Sequence, residues 1–140
     1  MMSASNPPLV VAVIEDDASA RTALGRLLRA SGFEPALFES AEAFIDASPP
    51  SLCAIVDVQL PGMSGIELQQ RLRAAGNAIP IIVTTASCDP AVRKRAHEND
   101  CAAFFWKPVD GDALTVAIGS LTSQSFKSPG AAELSIHRVR

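Results

Sequence analysis

A chain of 140 residues that is 48% hydrophobic can bury a full core and fits one domain better than two. Its net charge of -3, with no run of like charges, argues against nucleic acid or an anionic membrane as the main partner. Cys53, Cys88 and Cys101 show neither CxxC nor Cys/His ligand spacing, which argues against a disulfide framework and a zinc site. Residues 1–8 have neither the basic start nor the apolar stretch of a signal peptide, and no apolar run reaches transmembrane length, so the cytoplasm is the expected compartment.

Residues 9–14 (LVVAVI) form a near-continuous apolar run of strand length, as expected for a strand covered on both faces. Ala20, Leu24, Leu27 and Leu28 then fall on one helical face, with Arg21, Arg26 and Arg29 off it and Gly32 as the stop. A short strand is predicted at 35–38, and Ser40 caps a helix carrying Phe44 and Ile45 that ends before Pro49 and Pro50. Residues 52–56 predict a third strand, in which Cys53 reads as core. Ser64 and Glu67 predict a capping box ahead of a helix through Leu68 and Leu72, closed by Gly76. A fourth strand is predicted at 81–85, after which Asp89 and Pro90 supply an N-cap and a proline at the first helical position. The fifth strand is predicted at 102–105, and the last helix, marked by Leu114, Ile118 and Leu121, begins near Asp110 or Asp112.

Five strand-and-helix alternations with short loops predict a parallel sheet with helices on both faces, a doubly wound α/β sandwich of three layers. Residues 1–8 are expected to be disordered and residues 9–121 to form the domain. Residues 122–140, poor in large apolar side chains, are expected to be a flexible tail or the start of a linker to an output domain.

In such a sheet the ligand site lies outside the carboxyl ends of the strands. The first strand ends in Glu15, Asp16 and Asp17, the third in Asp57, the fourth in Thr84 and Thr85, and the fifth runs into Lys107. Carboxylates pushed together repel, and on this view their strain is released only by a bridging hard dication with oxygen ligands. Mg²⁺ suits the role because it takes one or two carboxylates, keeps several waters and completes its octahedron with phosphoryl oxygens. Each piece alone has a plainer reading. An acidic run after a strand commonly caps a helix, and Asp17 fits that description. Lys107 alone is a surface lysine, and Thr85 alone a β-branched strand residue. Their common place on one edge of one sheet is what favours a site.

Four segments in this order resemble those of a known family, the receiver domains of two-component response regulators. Glu15-Asp16 is similar to the family's acidic pair. DVQLPGMSG from Asp57 resembles its phosphoacceptor segment, with Pro61, Met63 and Gly65 in register. Thr85-Ala86 matches the hydroxyl residue and its small successor, and Lys107-Pro108 the lysine and its proline. The resemblance runs from Leu9 to about Leu121 and is nearest to receivers that carry a helix-turn-helix output, such as the nitrogen-fixation regulators. It implies the five-stranded (βα)5, CheY-like and flavodoxin-like fold. Asp57 is implied to be the nucleophile that takes a phosphoryl group, making the chain a switch that catalyses only its own phosphorylation and dephosphorylation. Mg²⁺ is implied on Asp16, Asp57 and the backbone carbonyl of Gln59, with Glu15 acting through water.

Lys107 would add a positive charge, worth roughly 4 kcal/mol for one contact near 4 Å at an effective dielectric of about 20. The Lys107-Pro108 bond is implied to be cis. The implied switch pair is Thr85 and Phe104. Thr84 should point to the opposite face, and alternation puts Trp106 beside Phe104. There Trp106 is either an exposed partner contact or a cover for the following helix. The implied partner is a sensor histidine kinase or a histidine phosphotransfer protein. A homodimer through the face of the fourth helix, fifth strand and fifth helix is a further expectation. This chain itself is expected to bind neither nucleic acid nor membrane.

Glu15 stands where aspartate is commoner, and Gln59 and Ser87 occupy the two variable positions linked to autodephosphorylation. Two other classes fit less well. A haloacid dehalogenase-like phosphatase wants a second acid two residues after the nucleophile, where Gln59 stands. A docking module with a vestigial pocket would not need Lys107 and Thr85. A receiver cut from a DNA-binding transcription regulator remains the nearest variant of the main expectation.

Overall fold

The apolar runs become five parallel strands, joined by the helices that the periodicity marks. The computed structural model describes residues 9–124. In chain order the elements are β1 (Val10–Ile14), α1 (Ala18–Ala30), β2 (Glu34–Phe38), α2 (Ala41–Ala47), β3 (Cys53–Asp57), α3 (Gly65–Ala74), β4 (Ile81–Thr85), α4 (Pro90–Glu98), β5 (Ala103–Trp106) and α5 (Gly111–Gln124). The strand order is β2-β1-β3-β4-β5 with every pair parallel. Between β1 and β3 the winding reverses, which opens a crevice at their carboxyl ends.

Local chemistry sets the helix starts. The side chains of Asp17, Ser40, Ser64 and Asp89 each accept a backbone N–H at the head of α1, α2, α3 and α4, and Ser64 and Glu67 close a full capping box. Gly32 and Gly76 follow α1 and α3 with positive φ, as the sequence predicts. The third and fifth strands each run one residue further than the predicted 52–56 and 102–105, taking in Asp57 and Trp106. The reason lies in the ladder: Asp57 pairs with Thr84, and Val58 N–H still reaches the Thr84 carbonyl at 2.9 Å. Helix α5 runs past Leu121 to Gln124, since no glycine or proline intervenes to end it. Residues 1–8 and 125–140, expected to be disordered and a flexible tail, lie outside the described residues.

Each face of the sheet carries its own core. Helices α1 and α5 cover Val11, Val13, Cys53, Ile55, Ile82, Ala103 and Phe105 with Leu28, Leu114, Ile118 and Leu121. Helices α2, α3 and α4 cover Ile14, Val56, Ile81, Val83 and Phe104 with Phe44, Ile66, Leu68, Leu72 and Ala96. Cys53 is core, its thiol pushed up to about 12 by burial. No described helix is long and apolar enough to cross a membrane.

Candidate functional site

The crevice between β1 and β3 is lined by the acids that follow β1 and the acid that ends β3. One ligand oxygen each from Glu15, Asp16 and Asp57 falls within 4.8 Å of the others, an all-oxygen donor set that fits Mg²⁺. Glu15 and Asp57 are buried at 2% and 4% exposure, whereas Asp16 is exposed. Lys107 reaches across from the end of β5 and donates to Glu15 Oε1 at 2.7 Å and to Asp57 Oδ2 at 2.8 Å. That contact corrects one expectation. The repulsion among the acids is not left for a dication alone to relieve, because the ammonium already bridges two of the three. Burial works against the charged amine, but the hydrogen bonds and charges of Asp57 and Glu15 outweigh it and hold Lys107 above the ordinary lysine value.

The remaining oxygens are also directed. Asp57 Oδ1 accepts the Gln59 N–H at 3.0 Å, which folds the chain after β3 back over the carboxylate. Glu15 Oε2 accepts the Asp17 N–H at 3.1 Å, so both of its oxygens are engaged. That arrangement suits an indirect role for Glu15. The Asp16 carboxylate, in contrast, makes no hydrogen bond or ion pair among the described residues. Asp17 is the N-cap of α1, through Ala20 N–H. Gly65 is needed where α3 begins: a Cβ there would lie 2.4 Å from the Asp57 carbonyl, a clash with backbone that cannot swing away. The Lys107-Pro108 peptide is cis.

Thr85 and Phe104 lie on the α2–α4 face, fully buried. The Thr85 hydroxyl accepts the Ser87 N–H at 3.0 Å and so braces the loop into α4. Thr84 sits in ladder register with Asp57, on the opposite face from Thr85. Trp106 stacks edge-on against Phe104, centroids 5.1 Å apart, and carries the Arg93 guanidinium 5.3 Å above its ring. At 38% exposure it covers α4 and still shows a surface to solvent.

Two charged side chains at the site go beyond what the sequence revealed. Arg21, which periodicity places only on the polar side of α1, donates to the Glu15 carbonyl at 2.8 Å and the Asp16 carbonyl at 3.3 Å. Glu42, in the first turn of α2, accepts the Met63 N–H at 2.9 Å and braces the loop after Asp57. A long polar side chain one turn into a helix that follows a strand end is the one signal that could have marked Arg21. Nothing local marks Glu42, whose partner is distant in sequence.

The chain has clear relatives. The model of the response regulator receiver domain matches residues 11–119. The transcriptional regulatory protein FixJ of Bradyrhizobium diazoefficiens is 38% identical over 115 residues, covering 81% of this chain and 56% of FixJ. A protein of Thermotoga maritima named cyclic di-GMP phosphodiesterase is 36% identical over 110 residues, 79% of this chain and 30% of that protein. Among solved structures, full-length FixJ from B. japonicum matches with a TM-score of 0.78 at 37% identity, covering 90% of this chain and 62% of that one. The chain therefore spans about half the length of the FixJ proteins it matches. Since the match runs from β1 into α5 and takes in every acid of the crevice together with Lys107, the chain belongs to the response regulator receiver domain family of two-component signalling.

Proposed function

We propose that Asp57 is the phosphoacceptor, charged by the phosphohistidine of a sensor histidine kinase or histidine phosphotransfer protein, or by a small phosphodonor. A carboxylate oxygen of Asp57 attacks phosphorus, the bond from phosphorus to the imidazole nitrogen breaks with its electron pair leaving on the ring, and a mixed anhydride forms. Lys107 holds the Asp57 carboxylate in place and presents its ammonium to the phosphoryl oxygens. Asp16, Asp57 and the Gln59 carbonyl would hold Mg²⁺, with Glu15 acting through water, and the bound ion supplies charge neutralisation at the equatorial oxygens. Thr85 then exchanges Ser87 N–H for the phosphoryl group, and Phe104 follows into the space it leaves.

The observation that carries this reading is Asp57 itself, a 4% exposed carboxylate at the sheet's winding reversal with Lys107 on one oxygen and two further acids alongside. Gln59 is exposed where a dehalogenase would need its second acid. The chain accordingly acts as a cytoplasmic switch, catalysing only its own phosphorylation and dephosphorylation. Its output is binding or dimerisation through the face of α4, β5 and α5, where Trp106 is the partner contact. A second reading, the receiver half of a DNA-binding regulator, is favoured by relatives named as transcriptional regulators. Acetyl phosphate with Mg²⁺ is expected to add the mass of one phosphoryl group, and Asp57→Asn to abolish the gain. An adduct that persists in Asp57→Asn would move the site elsewhere.

A further inference from the structure

The turn between β1 and α1 carries the acid pair, and most of its contacts hold one residue at a time. Glu15 N–H meets the Phe38 carbonyl, Glu15 Oε2 receives the Asp17 N–H, and the Asp17 carboxylate caps α1. Arg21 differs. A single guanidinium nitrogen is shared between the carbonyls of Glu15 and Asp16, and so grips the backbone of both acids together. Asp16 depends on such a grip, because its own carboxylate has no partner among the described residues and only the backbone that carries it is held.

We infer that Arg21 is a positioning residue of the cation and phosphoryl site, locking the Glu15-Asp16 backbone so that the Asp16 carboxylate stands within ligating reach of Asp57. This rests on the phosphoacceptor reading of Asp57. The contribution is one of geometry, and the physics separates it cleanly from charge. A guanidinium beside a cation pocket opposes a dication, so if Arg21 acted by charge alone, its removal would tighten Mg²⁺ binding. As a lock on a ligand residue, its removal weakens binding, by about tenfold on the scale of outer-shell supports of metal ligands. Lysine keeps the charge, but its ammonium ends one bond short of the guanidinium nitrogen that the two carbonyls share.

The test is Mg²⁺ titration by calorimetry on the full chain, comparing the parent with Arg21→Lys, Arg21→Gln and Arg26→Gln. Arg26 is an exposed arginine of the same helix. Both Arg21 variants are expected to bind Mg²⁺ about tenfold more weakly, with Arg26→Gln unchanged. Thermal unfolding without Mg²⁺ reports whether each variant is folded. If Arg21→Gln does not fold, Arg21→Lys carries the comparison alone. Parent-like affinity in Arg21→Lys, or tighter binding in Arg21→Gln, overturns the inference while leaving the phosphoacceptor reading intact. A parent that takes up neither Mg²⁺ nor a phosphoryl group overturns both.

Discussion

The two faces of the sheet are built to different standards. Helix α5 buries Leu114, Ile118 and Leu121 against the apolar stretch of its strand face, each worth about 1.5–3 kcal/mol of burial. Helix α4, on the other face, fully buries only Ala96. Around it the core turns polar. Gln69 of α3 is fully buried, its amide donating to the Ala96 and Asn99 carbonyls at the end of α4, while its Oε1 has no partner among the described residues. Followed to the strand ends, the α1/α5 face leads to Asp57 and Thr84, and the α2–α4 face to Thr85, Phe104 and Trp106. On the proposed reading, the phosphoacceptor lies on the face held by α5, and the residues suited to moving lie beside the sparsely buried α4. Elements that must shift are drawn from the weakly packed end of a structure.

Truncating one apolar residue on each helix gives the largest effect. Leu114→Ala removes a fully buried side chain from the firm face and is expected to cost about 2–5 kcal/mol. Val92→Ala, on the half-buried side of α4, is expected to cost about 1 kcal/mol. Urea unfolding of the two variants measures the difference directly. Equal losses would mean that α4 is as tightly held as α5, and the contrast between the faces would fail.

Lys107→Met comes next. It leaves Glu15 and Asp57 buried side by side without a counter-charge. The expected loss is about 2 kcal/mol, below the roughly 3–5 kcal/mol of a fully buried pair because the lysine side chain is 28% exposed. Mg²⁺ is then expected to raise the unfolding midpoint of the variant by more than that of the parent, since three acids are left to one cation. Alkali offers an independent check. Because Lys107 is held above its ordinary 10.5, its contribution is complete below that pH and is lost as the pH rises through the higher folded value. Lys107→Met should lack this alkaline component, and a variant with the parent's alkaline limb would show that the bridge contributes nothing.

What the sequence made legible was the local part. Ser40, Ser64 with Glu67, and Asp89 with Pro90 announce helix starts because a cap and its partner lie within one turn. Short apolar runs locate the strands, and from their order the acids, Lys107 and Thr85 fall on one edge. Contacts that depend on how one element lies against another were not legible. Arg21 bends back toward the strand it follows, Glu42 reaches the loop beyond the next strand, and Gln69 grips a helix end across the core. The lysine bridge belongs to the same class. Its residues were visible at the edge, but only the crossing of the crevice shows that Lys107 joins two of the acids.

The smallest effect tests whether the soft face can be read from outside. His97 of α4 lies against Phe104, with Arg93 Nε 3.4 Å from its Nε2 and Cys101 Sγ 3.7 Å from its Nδ1. Burial and then the Arg93 charge hold its pKa below the ordinary 6.5. The folded state therefore favours the neutral ring. Stability from this source is complete above pH 6.5 and is lost as the pH falls through the lower folded value. A protonated His97 repels the same Arg93 that lies over the ring of Trp106, the sole tryptophan of the chain. Trp106 emission is thus expected to show a step centred below pH 6.5, absent from His97→Gln. If the step survives that substitution, another group drives it and the link from α4 to Trp106 is broken. If it vanishes while the urea midpoint of the parent falls only by the small amount that the lowered pKa implies, α4 shifts without unfolding the domain, as the contrast between α4 and α5 requires.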